Sequence, residues 1–165
     1  MLEHLWAGWR NEYVVTADNA HDTDPCVFCR ILNSGLPDDE TYVVWRGDRS
    51  FVILNAYPYT SGHLMVMPLR HVSELDELED EEGDDLFRVL RQAVRAVKDA
   101  YDPGGFNVGA NLGRAAGAGI PGHLHLHVLP RWAGDTNFMT AIAETRVLPE
   151  SLPATWARLR EAWDD

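Results

Sequence analysis

The run Gly122-His123-Leu124-His125-Leu126-His127-Val128-Leu129-Pro130-Arg131 constrains this chain more than any other stretch, because it places three of the seven histidines at alternate positions of an apolar segment. The alternation predicts a buried strand. Side chains on a strand point to opposite faces in turn, so His123, His125 and His127 share one face while Leu124, Leu126 and Val128 take the other. Same-face neighbours lie roughly 7 Å apart at a rise of about 3.3 Å per residue, which leaves each imidazole room for its own task. Three histidines as strand filler is a poor explanation, since every buried ring needs hydrogen-bond partners. Two chemistries fit the spacing. His-x-His on a strand can supply ligands to a catalytic metal that keeps an open position for water. Alternatively, a neutral imidazole acts as nucleophile while its neighbours orient it and handle protons.

Composition narrows the setting. A chain of 165 residues is of one-domain size and can bury a substantial core. No stretch approaches the roughly 20 apolar residues needed to span a bilayer, and Met1-Leu2-Glu3-His4-Leu5-Trp6 lacks a basic-then-apolar leader, so a cytoplasmic location without membrane contact is the default expectation. Acidic residues outnumber basic ones 26 to 14, for a net charge of −12. That balance argues against general binding to nucleic acid, which needs clustered cations. A small phosphorylated ligand is compatible with it if positive groups gather locally.

Taken in order, residues 1–25 carry Trp6, Trp9 and Tyr13 without clean periodicity and read as an arm packed on the body. Cys26 and Cys29, the only cysteines, are spaced as half of a zinc site or as a redox pair. Nothing before them resembles the strand that precedes a thioredoxin-like turn, which favours zinc. Its other two ligands would come from His4, His21, His63, His71 and His123. Residues 41–46 and 50–55 read as a hairpin across Gly47-Asp48, and residues 63–68 as a third strand opened by His63. A lone histidine there is structural unless it faces the triad. Nine carboxylates crowd the twelve positions from Glu74 to Asp85, a solvated helix start rather than a catalytic pair. Leu86, Leu90, Val94, Val97 and Tyr101 then mark one amphipathic helix, stopped at Asp102-Pro103-Gly104-Gly105. Residues 106–111 read as a fourth strand. The glycine-rich loop 112–122 feeds straight into the histidine run, and that position favours phosphate binding by its backbone N–H groups. Beyond a polar loop, residues 140–147 read as a further strand, and a short helix with Trp156, Leu159 and Trp163 is expected at an edge or subunit interface.

His123-Leu124-His125-Leu126-His127-Val128-Leu129 resembles the motif of the histidine triad (HIT) family. Cys26-Val27-Phe28-Cys29, Asn55, Gly62-His63 and Pro68-Leu69-Arg70-His71 follow in the same family's order, with the likeness extending over about residues 26–139. Asn107 to Asn111, Pro130-Arg131-Trp132 and Gly134-Asp135-Thr136-Asn137-Phe138 look most like a bacterial branch that includes diadenosine tetraphosphate phosphorylases.

The resemblance implies an α+β fold with a five-stranded antiparallel sheet, one long helix, a short C-terminal helix and a homodimer joining two sheets. It divides the chain into an arm (1–25), a HIT domain (26–139) and a C-terminal extension (140–165). It also implies a nucleotide substrate and nucleotidyl transfer through a covalent intermediate on His125, assisted by His127 and supported by His63. Asn55 would bind ribose and Ile53 the base; Asn111, Ala118 and Gly119 would hold phosphates. Cys26, Cys29, His71 and His123 match the ligands of a structural zinc. Many family members carry glutamine and serine before the triad, whereas this chain has Ala118-Gly119-Ile120-Pro121-Gly122. Trp132 and Asn137 lean the expectation toward phosphorolysis with inorganic phosphate as co-substrate. The alternatives are a hydrolase of phosphoramidates or related nucleotides, a metal-dependent hydrolase using the His-x-His strand, and a nucleotide-sensing module.

Overall fold

A computed structural model describes residues 26–135 and 148–163; the arm, the strand expected over 140–147 and Asn137 lie outside the described residues. Five antiparallel strands form one sheet in the order β1-β2-β3-β5-β4. They are β1 (Val43–Arg46), β2 (Ser50–Leu54), β3 (Leu64–Pro68), β4 (Gly105–Gly109) and β5 (Leu126–Arg131). Two short helices, α1 (Val27–Leu32) and α2 (Asp38–Thr41), precede the sheet; α3 (Asp80–Tyr101) links β3 to β4, and α4 (Leu152–Glu161) closes the described chain.

Period-two alternation sorts the sheet into two cores. Val44, Val52, Leu54, Leu64, Val66, Leu124 and Val128 face α3 and α4. Val43, Phe51, Ile53, Met65 and Met67 face the other way, under α1 and Ile120. A β-bulge between Val43 and Trp45 lets both Val44 and Trp45 join the helix side, where Trp45 stacks on Trp163 with centroids 5.8 Å apart. The C-terminal helix thus seals the β1 edge, and the Trp156 indole N–H donates to the Val43 carbonyl at 2.8 Å.

Helix α3 is amphipathic as its spacing predicts, but its buried stripe is wider than the large residues alone suggest. Val89, Ala93 and Ala96 are buried with Leu86, Leu90 and Val97, whereas Val94 and Tyr101 lie at the half-buried margin. The acidic run is more than a solvated start. Glu77 and Glu82 each close a capping box, on the 3-10 turn Leu75–Glu77 and on α3 respectively. Glu82 also takes a forked ion pair from Arg70, at 2.9 Å through Nε and 2.5 Å through Nη2. The Arg70 guanidinium and the Glu79 N–H hold the Glu82 carboxyl down at about 2. A carboxyl whose folded pKa is depressed stabilises the fold above its ordinary range near 4.5 and loses that contribution as pH falls toward 2. In urea titrations from pH 5 to 2, Glu82→Gln is therefore expected to begin less stable than wild type and to lose less on acidification. Parallel losses in both proteins would contradict this.

Gly62 stands at the bend into β3 with φ +79°, and a Cβ there would meet Tyr101 Cε2 at 3.0 Å and Pro130 Cγ at 3.3 Å. Backbone conformation and crowding act in the same direction, so Gly62→Ala is expected to cost about 2 kcal/mol in denaturant unfolding. A change below about 0.5 kcal/mol would show that the bend relaxes freely.

Candidate active site

One row of the sheet carries the chemistry. Val43, Ile53, Met65, His127 and Gly109 are successive cross-strand partners, so His127 shares a face with Ile53 two strands away, roughly 10 Å at about 4.8 Å per strand. The alternation of the histidine run holds, but its ladder begins only at Leu126. His123 and His125 precede it in a segment tied elsewhere, with the Leu124 N–H donating to the Val72 carbonyl at 2.6 Å. All three histidines are buried, as is His63.

The partners of each ring assign its protons. His125 Nδ1 lies 2.7 Å from the His123 carbonyl oxygen. A carbonyl can only accept, so Nδ1 carries the hydrogen and Nε2 keeps its lone pair. The Tyr59 backbone N–H donates to His63 Nδ1 at 3.2 Å, which leaves the His63 hydrogen on Nε2. That Nε2–H meets His127 Nδ1 at 2.9 Å. His127 therefore carries its own hydrogen on Nε2. Burial pushes both His125 and His127 below the ordinary imidazole range, His127 to about 4 with a further contribution from neighbouring His125. Both rings are neutral near pH 7, His125 offering a lone pair at Nε2 and His127 a donor.

Phe28 of α1 backs His125, with its ring centroid 5.6 Å from that of His125 and equally far from that of His123. Asn55 continues beyond β2, bonded through its backbone N–H to the His63 carbonyl. Its side-chain oxygen accepts from the Tyr57 N–H at 2.9 Å. The loop before the triad makes a 3-10 turn at Arg114–Ala116 flanked by Gly113 and Gly117, both at positive φ. Asn111 is half-buried at its start, Ala118 is buried and Gly119 is exposed. Trp132 follows the last residue of β5, and its ring meets Tyr101 edge-on at 6.3 Å, on the helix side of the sheet. Tyr59, in the loop between β2 and β3, packs on His63 at 4.8 Å and on His127 at 6.2 Å. Its sequence signal is the aromatic pair in Tyr57-Pro58-Tyr59, just before Gly62-His63.

A second centre lies one step back along the segment. The ligand atoms of Cys26, Cys29, His71 and His123 all fall within 4.8 Å of one another, the one such cluster among the described residues. His123 places Nε2 2.9 Å from the Pro68 carbonyl oxygen, so Nδ1 holds the lone pair and faces the sulfurs of Cys26 and Cys29 at 3.4 and 3.6 Å. His71 Nδ1 lies 3.4 Å from Cys29 Sγ. Two sulfurs and two imidazoles in this compass fit a closed tetrahedral zinc site. His63 serves the triad instead, and His4 and His21 lie outside the described residues.

A five-stranded antiparallel sheet crossed by one long helix, with alternating histidines at its centre, defines a histidine triad protein. The chain belongs to the HIT family, whose domain matches residues 37–134. Among individual proteins, it is similar to an AP-4-A phosphorylase from Mycobacterium tuberculosis, 42% identical over 98% of this chain and 85% of that one. Solved structures agree on the fold. A Zn-bound histidine triad family protein from Mycobacterium smegmatis superposes with a TM-score of 0.68 at 29% identity, covering 84% of this chain and 92% of that one. A hypothetical histidine triad nucleotide-binding protein from Sulfolobus tokodaii gives 0.67 at 29% identity, over 83% and 91% of the two chains. These likenesses support a nucleotide-processing enzyme. No described helix is long and apolar enough to cross a membrane.

Proposed function

We propose that this protein cleaves dinucleoside polyphosphates such as diadenosine tetraphosphate, transferring a nucleotidyl group through His125 to inorganic phosphate. The observation that carries this reading is the 42% identity to an AP-4-A phosphorylase along nearly the whole chain. The histidine geometry supplies a route. The Nε2 lone pair of His125 attacks the α-phosphorus, the P–O bond to the remaining polyphosphate breaks, and ATP departs as an anion. The resulting N-phosphorylated imidazolium keeps its Nδ1–H on the His123 carbonyl, which offsets the new positive charge. The Nε2–H of His127 donates a hydrogen bond to the bridging oxygen as negative charge builds there, without leaving the ring. A phosphate oxygen then attacks the same phosphorus, the N–P bond breaks, and ADP is released with His125 restored. Splitting one displacement into two is what the neutral imidazole contributes.

In this reading Asn55 and Ile53 hold ribose and base, while Asn111 and the backbone around Ala118 and Gly119 hold phosphates. Cys26, Cys29, His71 and His123 hold zinc as a structural ion. Trp132 contacts the substrate from the end of β5, its ring set edge-on against Tyr101. The test is incubation with diadenosine tetraphosphate, with and without phosphate, and separation of the products. ADP plus ATP formed only with phosphate is expected; AMP plus ATP formed regardless of phosphate would make the enzyme a hydrolase, and no products would end the reading.

We further infer that a second copy covers the β4 edge. β4 has its outer edge unpaired in the described sheet. Beside it Val108 of β4 and Phe87, Leu90, Val94 and Lys98 of α3 line a groove of about 510 Å³. Phe87 is 62% and Val108 47% exposed, so the edge strand and the helix beside it present one apolar face. Sedimentation is expected to give a dimer for wild type and a monomer for Phe87→Glu. A monomeric wild type would overturn the inference.

A further inference from the structure

Tyr59 belongs to neither the triad nor the metal centre, yet it touches the triad at two levels. Its ring lies 4.8 Å from that of His63, and 6.2 Å from that of His127 at a nearly parallel 28°. Its backbone N–H donates to His63 Nδ1. The ring is 46% exposed, so it forms the boundary between the paired imidazoles and solvent. The loop that carries it is pinned on both sides. Asn55 Oδ1 accepts from the Tyr57 N–H, and the Thr60 hydroxyl donates to the Pro130 carbonyl at 3.2 Å.

We propose that Tyr59 is a positioning residue for His127. The ring keeps water from the His63–His127 pair, and the backbone N–H holds His63 in the tautomer that turns the Nε2–H of His127 toward substrate. The logic is one of proton placement. His63 can donate to His127 Nδ1 only while its own Nδ1 accepts, and the Tyr59 N–H requires that. Water entering beside the pair would offer each ring another partner and mix the tautomers. It would also solvate a second proton on His127, which would set two N–H groups against each other at the 2.9 Å contact. The titratable groups facing His127 are His63 at the start of β3, His125 in its own segment and Tyr59 in the loop. Its partners on the neighbouring strands, Met65 and Gly109, bring no charge. Burial is thus the largest influence on its proton affinity, and Tyr59 is the half-exposed ring stacked beside it.

The inference rests on His127 having the role proposed above, so its test includes a reading that needs no substrate. The zinc-loaded protein is compared as wild type, Tyr59→Phe and Tyr59→Ala, following the His127 ring resonance against pH by NMR. The wild-type midpoint is expected near 4. Tyr59→Phe keeps the ring and should match it, whereas Tyr59→Ala should raise the midpoint by about one unit, because uncovering removes desolvation that disfavours the cation. In phosphorolysis Tyr59→Ala should lower kcat about tenfold, with KM changed less than about twofold. An unmoved midpoint in Tyr59→Ala overturns the proposal. So does Tyr59→Phe behaving like Tyr59→Ala, which would place the effect in the hydroxyl. A loss confined to KM also overturns it, since the ring would then be a ligand wall. A raised midpoint without activity on any dinucleoside polyphosphate would leave Tyr59 in place and remove the proposed substrate. The opposite pair of results would do the reverse.

Discussion

Replacement of His125 by alanine is expected to abolish turnover, with a loss of about 10⁴-fold or more in kcat, while nucleotide binding stays near wild type. The size follows from the role. A group that forms the covalent intermediate cannot be replaced by a neighbour, and removing it returns the reaction to direct displacement without the two-step route. His127 cannot substitute, because its Nδ1 is committed to His63 and its Nε2 carries the hydrogen. His125→Gly leaves space behind Phe28 where added imidazole can sit, and partial recovery at millimolar imidazole is the expected signature. Product analysis at saturating substrate, with nucleotide binding measured separately by calorimetry, checks both parts. Turnover within about tenfold of wild type for His125→Ala would end the covalent-histidine route.

Withdrawal of the metal from the Cys26, Cys29, His71 and His123 centre is expected to lower stability before it affects chemistry. An ion that binds only the folded chain at a free concentration 1,000 times its dissociation constant contributes about 4 kcal/mol, and a chelator removes that amount. The four ligands come from α1, from the segment after β3 and from the approach to β5, so the ion ties together parts of the chain far apart in sequence. Cys29→Ala should reproduce the chelator effect. The check is thermal unfolding with and without chelator, paired with phosphorolysis on the same samples well below the transition. A large fall in Tm with kcat kept within about tenfold is expected. Immediate loss of activity at unchanged Tm would make the ion catalytic and revive the reading of His-x-His as a metal site.

Alternation alone makes the division of the sheet legible, since His127 and Val128 do face opposite cores. It cannot say where hydrogen bonding starts. Leu124 spends its N–H on Val72 rather than on a β3 partner, and no periodicity records that choice. The cysteine pair announces half of a metal site, but spacing leaves five histidines in contention. The family resemblance picks out His71 and His123 for the sulfurs and His63 for the triad, and the fold brings them there. Large residues reveal the helix stripe while Ala93 and Ala96, small enough to belong anywhere, stay hidden within it. Trp132 follows the end of β5, and its sequence position does not tell that its ring meets Tyr101 edge-on. Glu82 reads as one carboxylate in a crowd until Arg70 comes into view.

His123 serves two masters with different parts of one residue: its ring points to the thiols, and its carbonyl fixes the His125 hydrogen. One residue thus joins the two sites. A metal that reduces the freedom of His123 narrows the range of positions open to that carbonyl, which favours the reactive arrangement of His125. Reciprocity then requires that a nucleotide bound to that arrangement tighten the metal by the same factor. The structural ion and the substrate would in this sense be effectors of one another, coupled through a single peptide unit.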